Sequence, residues 1–283
     1  MLTKKGWERL VPQKNNRYWY LEHRARYEFC KSFVSNKLVL DAGCGEGYGS
    51  SLLSEVAKIV EAIDINKNAI ADAQAKYKRA NLRFKVMDCR ALTFKDSFFD
   101  VVCSFEVLEH IKQPQRYISE IHRVLKKGGL FILSTPNIER NPLVGTNPYH
   151  VKEYSLKEFK EVLGAFFGNR IEFYGQHWPL KAKQFYNSFL ARGIYKIKRR
   201  FGIKRLIPAK IRAKAEKIIF GYSIQEGLTA KDFVISTKNL DDAEQFIAIC
   251  TNIHHREHRD SKDTKKYKLI GTQISADTRR LKA

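Results

Sequence analysis

The chain lacks any run of about eighteen apolar residues, so no membrane-spanning helix is expected. Its first residues, Met1-Leu2-Thr3-Lys4-Lys5-Gly6-Trp7, lack the apolar core of a secretory signal. The five cysteines, Cys30, Cys44, Cys89, Cys103 and Cys250, show no paired C-x-x-C spacing. Neither a zinc site nor a disulfide framework is therefore expected, and reduced thiols in a cytoplasmic protein are. Acid is scarce: 30 Asp and Glu stand against 52 Lys and Arg, a formal charge of +22 over 283 residues. That balance points to an anionic partner, and its location along the chain matters more than its total. The length suits one α/β domain plus an addition.

The most informative stretch is Leu38-Val39-Leu40-Asp41-Ala42-Gly43-Cys44-Gly45-Glu46-Gly47-Tyr48-Gly49. A short apolar run reads as a buried strand, and a helical pattern resumes near Ser50. Glycines between a strand and a helix let the backbone turn sharply and approach a ligand, with the helix N-terminus beside it. Asp41 stands where a dinucleotide-binding loop would place glycine, and an acid there suits a cationic ligand better than a phosphate. About twenty residues on, Ile59–Ile63 reads as a second strand ending in Asp64, a carboxylate able to accept both ribose hydroxyls of a nucleoside. A dinucleotide site or a purely structural turn is the alternative.

Asp41-Ala42-Gly43-Cys44-Gly45-Glu46-Gly47 resembles the first motif of the class I S-adenosylmethionine (SAM) methyltransferases. The resemblance runs from Leu38 to Asn137, through F-D-V-V-C-S-F-E-V-L-E-H-I (99–111) and R-V-L-K-K-G-G (123–129). It implies the α/β fold of that class: a doubly wound, mostly parallel, seven-stranded sheet (Rossmann-like), here with a basic helical insertion before the last strand. It also implies S-adenosyl-L-methionine as cofactor. The implied contacts are Asp41, Ala42, Gly43, Cys44, Gly45 and Gly47 in the loop, Asp64 and Ile65 at the second strand's tip, Asp88 and Cys89 at the third, and Phe105 and Glu106 at the fourth. Taken alone, Asp88 also reads as a helix N-cap.

Helices are expected over Tyr20–Phe33, with Leu21, Ala25, Phe29 and Phe33 on one face, over Asn68–Arg79, and over Tyr117–Leu125 with Lys126–Gly129 as its C-terminal cap. Leu82–Val86, Phe99–Phe105 and Leu130–Thr135 read as strands. Ser155 with Glu158 forms a capping box. Ile171–Tyr174 and Phe233–Thr237 read as the sixth and seventh strands. The expected organisation is a leader over the site (1–36), a SAM-binding core (37–180), a basic amphipathic insertion (181–228), a last strand with a closing helix (229–251) and a basic tail (252–283). The leader reads equally as a cover over the ligand or as a solvated capping helix.

Methyl transfer to a hydroxyl needs a base, and the candidates are His110, after the fourth strand, and His150, after the fifth; His110 is slightly preferred, and each also reads as a structural histidine. Asn147-Pro148-Tyr149-His150 is unlike the amino-methylase tetrad, because it follows the fifth strand and lacks the second proline. No metal is expected, although Glu106, Glu109 and His110 fall at i, i+3, i+4 and resemble the metal set of quinone-ring O-methyltransferases. Trp7-Glu8-Arg9, Glu22–Tyr27, Gly45–Ser50 and Asn147–Glu153 resemble methyltransferases of bacterial surface-polysaccharide assembly, which implies a small-molecule or lipid-linked glycan acceptor. The alternatives are a phenolic or quinone ring, or a non-catalytic SAM-fold protein that binds membrane or RNA. Lys181–Lys217 holds thirteen Lys and Arg against Glu216, with apolar residues interleaved. That pattern suits an anionic membrane surface, ahead of a lid, with nucleic acid last. The expected location is cytoplasmic, peripheral on the inner face of a membrane.

Overall fold

The computed structural model describes residues 17–140, 149–180, 182–183 and 227–253. The expected basic insertion lies outside the described residues except at its two ends, and so does the tail from residue 254. Helix α1 (Arg17–Val34) leads into β1 (Leu38–Ala42). Then follow α2 (Tyr48–Leu53), β2 (Ile59–Asp64), α3 (Lys67–Lys76), β3 (Leu82–Val86), β4 (Phe99–Phe105), α4 (Pro114–Val124) and β5 (Leu125–Pro136). The chain closes with α5 (Leu156–Phe167), β6 (Ile171–His177), β7 (Val234–Ser236) and β8 (Gln245–Thr251).

One sheet runs in the order β3-β2-β1-β4-β5-β8-β6-β7. From β3 to β5 every pairing is parallel, while β8 runs antiparallel to both β5 and β6. The central strands are buried on both faces, as their unbroken apolar runs require. Alternate residues feed two cores. Leu40, Phe99, Val102, Phe131 and Leu133 pack under α4 and α5. Val39, Val60, Val101, Cys103 and Ile132 pack under α1, α2 and α3. The chain moves outward from β1 to β3, then returns to add β4 on β1's other side. That reversal opens a crevice at the carboxyl ends of β1 and β4, the usual ligand position of such sheets.

Three expectations are corrected. The sheet has eight strands among the described residues, not seven. Val234–Ser236 is a short edge strand paired only with β6, and the place beside β5 belongs to Gln245–Thr251, where a closing helix was expected. Burial explains the exchange: Gln245 to Cys250 are all buried, and Phe246 to Cys250 form an apolar run fit for a two-sided position, whereas Val234 is exposed. Lys126–Gly129 is no helix cap, because α4 ends at Val124 and Leu125 already pairs with Phe99. Gly128 N–H donates to Asn252 O and Asn252 N–H to Gly129 O, which ties this irregular start of β5 to the end of β8.

The expected helices and the capping box hold. Ser155 Oγ accepts from Glu158 N–H, and Glu158 Oε2 accepts from Ser155 N–H. In α1, Leu21 and Ala25 are buried, but the innermost row also holds Tyr18, Arg26, Cys30 and Val34, with Phe29 and Phe33 at the margin. This helix is not a solvated cap. It lies against α2, and a Cβ on Gly49 would come within 2.0 Å of the Tyr27 ring. Gly49→Ala is expected to cost about 1–3 kcal/mol in urea unfolding. Tyr27→Ala added to it should cost less than the sum of the two single changes, since it removes the clash. Additive costs would show that the helix–helix contact is not where the strain falls.

Candidate active site

The loop after β1 is shaped by backbone geometry. Gly43, Gly45 and Gly47 have φ of +85°, +52° and +75°, a region that side-chain-bearing residues rarely enter. A Cβ on Gly43 would meet Val107 at 2.3 Å and one on Gly47 the Phe84 ring at 2.7 Å, while Gly45 faces open space. Gly43 and Cys44 N–H both donate to Ile63 O, fastening the loop to β2. Gly45 N–H donates to Asp64 Oδ2 at 2.9 Å, and Asn66 N–H to Asp64 Oδ1 at 2.8 Å. The carboxylate at the tip of β2 is thereby fixed at the loop's open residue, with lone pairs left for further donors. Beside it Ile65 is 65% exposed, an apolar surface at the crevice mouth.

Asp41 is buried rather than facing the crevice. Its carboxylate accepts from Ser50 Oγ at 2.6 Å and from Tyr27 OH at 3.4 Å, and burial pushes its pKa up to about 7. Its role in the structure is to join α1 and α2 beneath the loop. Asp88 is no helix cap. It accepts from Arg90 N–H and from the Arg90 guanidinium on both oxygens, bonds that hold it below the usual carboxylate range. Any contact of Asp88 with a base is therefore shared with Arg90. Burial pushes the neighbouring Cys89 thiol up to about 12.

At the tip of β4, Glu106 takes φ +57°, a left-handed turn in a residue with a side chain. Ser134 Oγ donates to its Oε1 at 2.8 Å. That turn breaks the helical spacing expected of Glu106, Glu109 and His110, and Glu106 is left out of the cluster of ligand-capable atoms. The structure instead gathers Glu109, His110 and His150, whose ligand-capable atoms lie within 4.8 Å of one another. Such a set could hold a divalent cation. Glu109 is fully buried. Its Oε2 accepts from Thr135 Oγ1, and burial pushes its carboxyl well above the usual range. Its carbonyl accepts from Val151 and Lys152 N–H, which draws the loop carrying His150 onto the β4 tip.

The two histidine rings meet edge to face, 4.8 Å apart. His110 Nδ1 lies 3.2 Å from Tyr149 O and His150 Nδ1 2.8 Å from Glu153 Oε1. A carbonyl and a carboxylate only accept, so each Nδ1 carries the proton and each Nε2 is the basic nitrogen.

Residues that the sequence did not single out complete the site. Glu22 is buried on α1, where Trp178 Nε1 donates to its Oε1 at 2.6 Å, and burial pushes its pKa up to about 7. Arg26, one turn on, donates from Nη1 to Gln176 Oε1 at 2.5 Å. The spacing Glu22-x-x-x-Arg26 looks like an ordinary exposed i, i+4 pair, so it gave no warning of burial. Tyr27, Ser50 and Glu153, like Glu22 and Arg26, lie in segments that carry the polysaccharide-enzyme resemblance, but that resemblance assigns them no role in the site.

Residues 40–133 match the family model described as "Methyltransferase domain". This segment is similar to the domains that the family model describes. The sheet around it has the Rossmann-like methyltransferase fold: a Thermotoga maritima SAM-dependent methyltransferase superposes with a TM-score of 0.56 over 84% of this chain and 91% of that one, at 13% identity. The Bacillus subtilis YcgJ protein superposes with a TM-score of 0.53 over 82% and 100%, at 17% identity. In sequence, the domain is similar to a "Probable S-adenosylmethionine-dependent methyltransferase" of Mycolicibacterium smegmatis, 36% identical over 55% of this chain and 62% of that protein. A protein named likewise from Mycobacterium tuberculosis is 35% identical over 58% and 60%. The ubiquinone biosynthesis O-methyltransferase of Coxiella burnetii is 33% identical over 40% and 50%. The chain thus spans about three fifths of the length of the first two of these relatives.

The buried acids make the stability of the folded chain depend on pH. Asp41 and Glu22 hold protons up to about pH 7 when folded, against ordinary values of 3.8 and 4.5. Between those limits the folded chain binds more protons than the unfolded one, so stability falls as pH rises. Their contribution is fully present below the unfolded values and is lost as pH passes through about 7. Asp41→Asn and Glu22→Gln should each flatten the fall in melting temperature between pH 5 and pH 8. Unchanged slopes would show that neither carboxyl is protonated on folding.

Proposed function

We propose that the chain is a SAM-dependent O-methyltransferase acting on a hydroxyl of a saccharide in cell-surface polysaccharide assembly. The observation that carries the cofactor reading is the open Gly45 turn hydrogen-bonded to Asp64 at the switch point of the sheet. The site fits the cofactor by its chemistry. Asp64 offers acceptors for ribose hydroxyls, Ile65 an apolar face for adenine, and the β4 tip a carboxylate, Glu106, for the cationic end. When bound, the cofactor supplies an electrophilic methyl group, and the rest falls to orientation and proton removal.

The hydroxyl reading rests on the histidine pair. His150 is the better base, because Glu153 fixes its Nδ1–H and supports the positive charge that forms when Nε2 takes a proton. The polar side chains at the β4 and β5 tips, Glu106, His110 and His150, suit a hydroxyl-rich acceptor. The alternative acceptor is a phenolic ring, favoured by the similarity to a ubiquinone biosynthesis O-methyltransferase. A lipid-linked acceptor would sit at an anionic membrane, which the basic composition of residues 181–217 suits. Among the described residues no helix is long and apolar enough to cross a membrane.

Tritiated methyl transfer into lipid-linked glycans, nucleotide sugars and catechols decides the acceptor. Label in a glycan is expected, and label in catechols alone would replace the saccharide. With the acceptor so found, His150→Ala should lower kcat by about 10²- to 10⁴-fold, and Glu153→Gln by less. A full rate in His150→Ala would remove the base assignment. Anionic liposomes should sediment the whole chain but not a variant lacking 181–217, and equal binding to neutral vesicles would refute the membrane attachment.

A further inference from the structure

Glu109 is wholly buried, and its two carboxyl oxygens are used unequally. Oε2 accepts from Thr135 Oγ1 at 3.1 Å. Oε1 has no hydrogen-bond partner among the described residues. A buried acceptor without a partner is costly, and an unmade bond of this kind asks for a donor or a cation. Lys152 does not supply it. Its N–H is held by the Glu109 carbonyl, but its ammonium goes to Glu158 Oε1 at 2.9 Å.

Two imidazoles stand beside this oxygen's carboxyl. Ligand-capable atoms of Glu109, His110 and His150 lie within 4.8 Å of one another. Around a tetrahedral zinc, with bonds of about 2.0–2.1 Å, ligand atoms stand roughly 3.3 Å apart, so the set closes by about 1.5 Å or less. Side-chain torsions can supply that without moving the strands. Both rings are already oriented for the task. Tyr149 O and Glu153 Oε1 fix the Nδ1–H of His110 and of His150, which puts each lone pair on Nε2. Metal-ligating histidines are usually held in this way, by a carbonyl or a carboxylate on the other nitrogen. Val151 and Lys152 N–H on the Glu109 carbonyl keep the His150 loop in place. Two nitrogens and one carboxylate suit zinc, whereas magnesium prefers a shell of oxygens.

We infer that Glu109, His110 and His150 bind a zinc ion, through Glu109 Oε1 and the two Nε2 atoms, and that zinc switches methyl transfer off. The second half rests on the proposed reading of His150 as the base. Zinc and the acceptor's proton compete for one lone pair, so His150 Nε2 cannot take the proton while it holds the metal. The added positive charge at the β4 tip also works against a sulfonium in the same crevice.

Cobalt, which shares zinc's geometry and absorbs visible light, is the probe. Titrated into the full chain, it should give the spectrum of a four-coordinate site that zinc removes and magnesium leaves unchanged. Glu109→Gln and His110→Ala should each weaken zinc by at least about tenfold. The full chain carrying His254→Ala, His255→Ala and His258→Ala together should bind as the wild type does, and loss of binding there would place the metal on the tail and overturn the inference. Displacement of cobalt by magnesium, or no cobalt spectrum with the wild type, would overturn it too. Should the first two variants fail to fold, Glu153→Ala removes the acceptor behind His150 Nδ1 and should still weaken zinc by about tenfold or more; unchanged affinity would count against the site. With the acceptor found by the labelling assay, saturating zinc should cut the initial rate by at least about tenfold, and a chelator should restore it. Bound zinc with an unchanged or raised rate would refute the switch. A full rate in His150→Ala would refute the base reading instead, and the cobalt titration reports on the site whether or not any acceptor is methylated.

Discussion

The hydrogen bond from Gly45 N–H to Asp64 is the contact on which the site depends. It joins the tips of β1 and β2 and sets the carboxylate of one against the open backbone of the other. The surrounding constraints serve it. The loop can make this turn only because three glycines accept positive φ, and Gly43 and Gly47 have no room for a Cβ. Parallel pairing of β1 with β2 and β4 then brings Asp64 and Glu106 to opposite sides of one crevice. In the proposed reading, the groups assigned to the nucleoside and to the reacting end of the cofactor stand on either side of β1.

The second constraint is the burial of charge under α1. Glu22, Arg26, Tyr27 and Asp41 would each be cheaper in water. Here they link the helix to α2, to β6 and to the β4 tip through Ser50, Gln176, Trp178 and Glu106. Such a polar layer contributes little net stability, but it fixes where the helix lies. A helix held by directional bonds places its side chains more sharply than one held by apolar contact alone, which suits a wall of a binding site.

The parts of the fold legible in the sequence were those governed by local periodicity. The strands from Leu38 to Thr135, the capping box at Ser155 and the glycine turn follow from residues next to one another in the chain. The strand exchange near the C-terminus did not, because choosing between Val234–Ser236 and Gln245–Thr251 depends on which run is buried on both faces. In the site, Asp64 and the glycines carried a recognisable pattern. Arg26, Glu22 and Glu153 lay in segments with a family resemblance but carried no sign of their place in the site, since a charged residue on a helix or loop looks solvated until the fold closes over it. Glu106 misled for a related reason: its spacing to Glu109 and His110 is helical, but its backbone is not.

Calorimetric titration of S-adenosylhomocysteine into the wild-type chain and Asp64→Asn tests the central claim most directly. Asparagine can still accept from Gly45 N–H through its amide oxygen, while it loses the bond from Asn66 N–H and the charge that favours ribose hydroxyls; an unchanged melting temperature would show that the loop keeps its place. The account predicts saturable binding to the wild type and a loss of about tenfold or more in the variant, the scale of one charge-assisted hydrogen bond. Absence of binding to the wild type, or equal affinity in the two proteins, would contradict it.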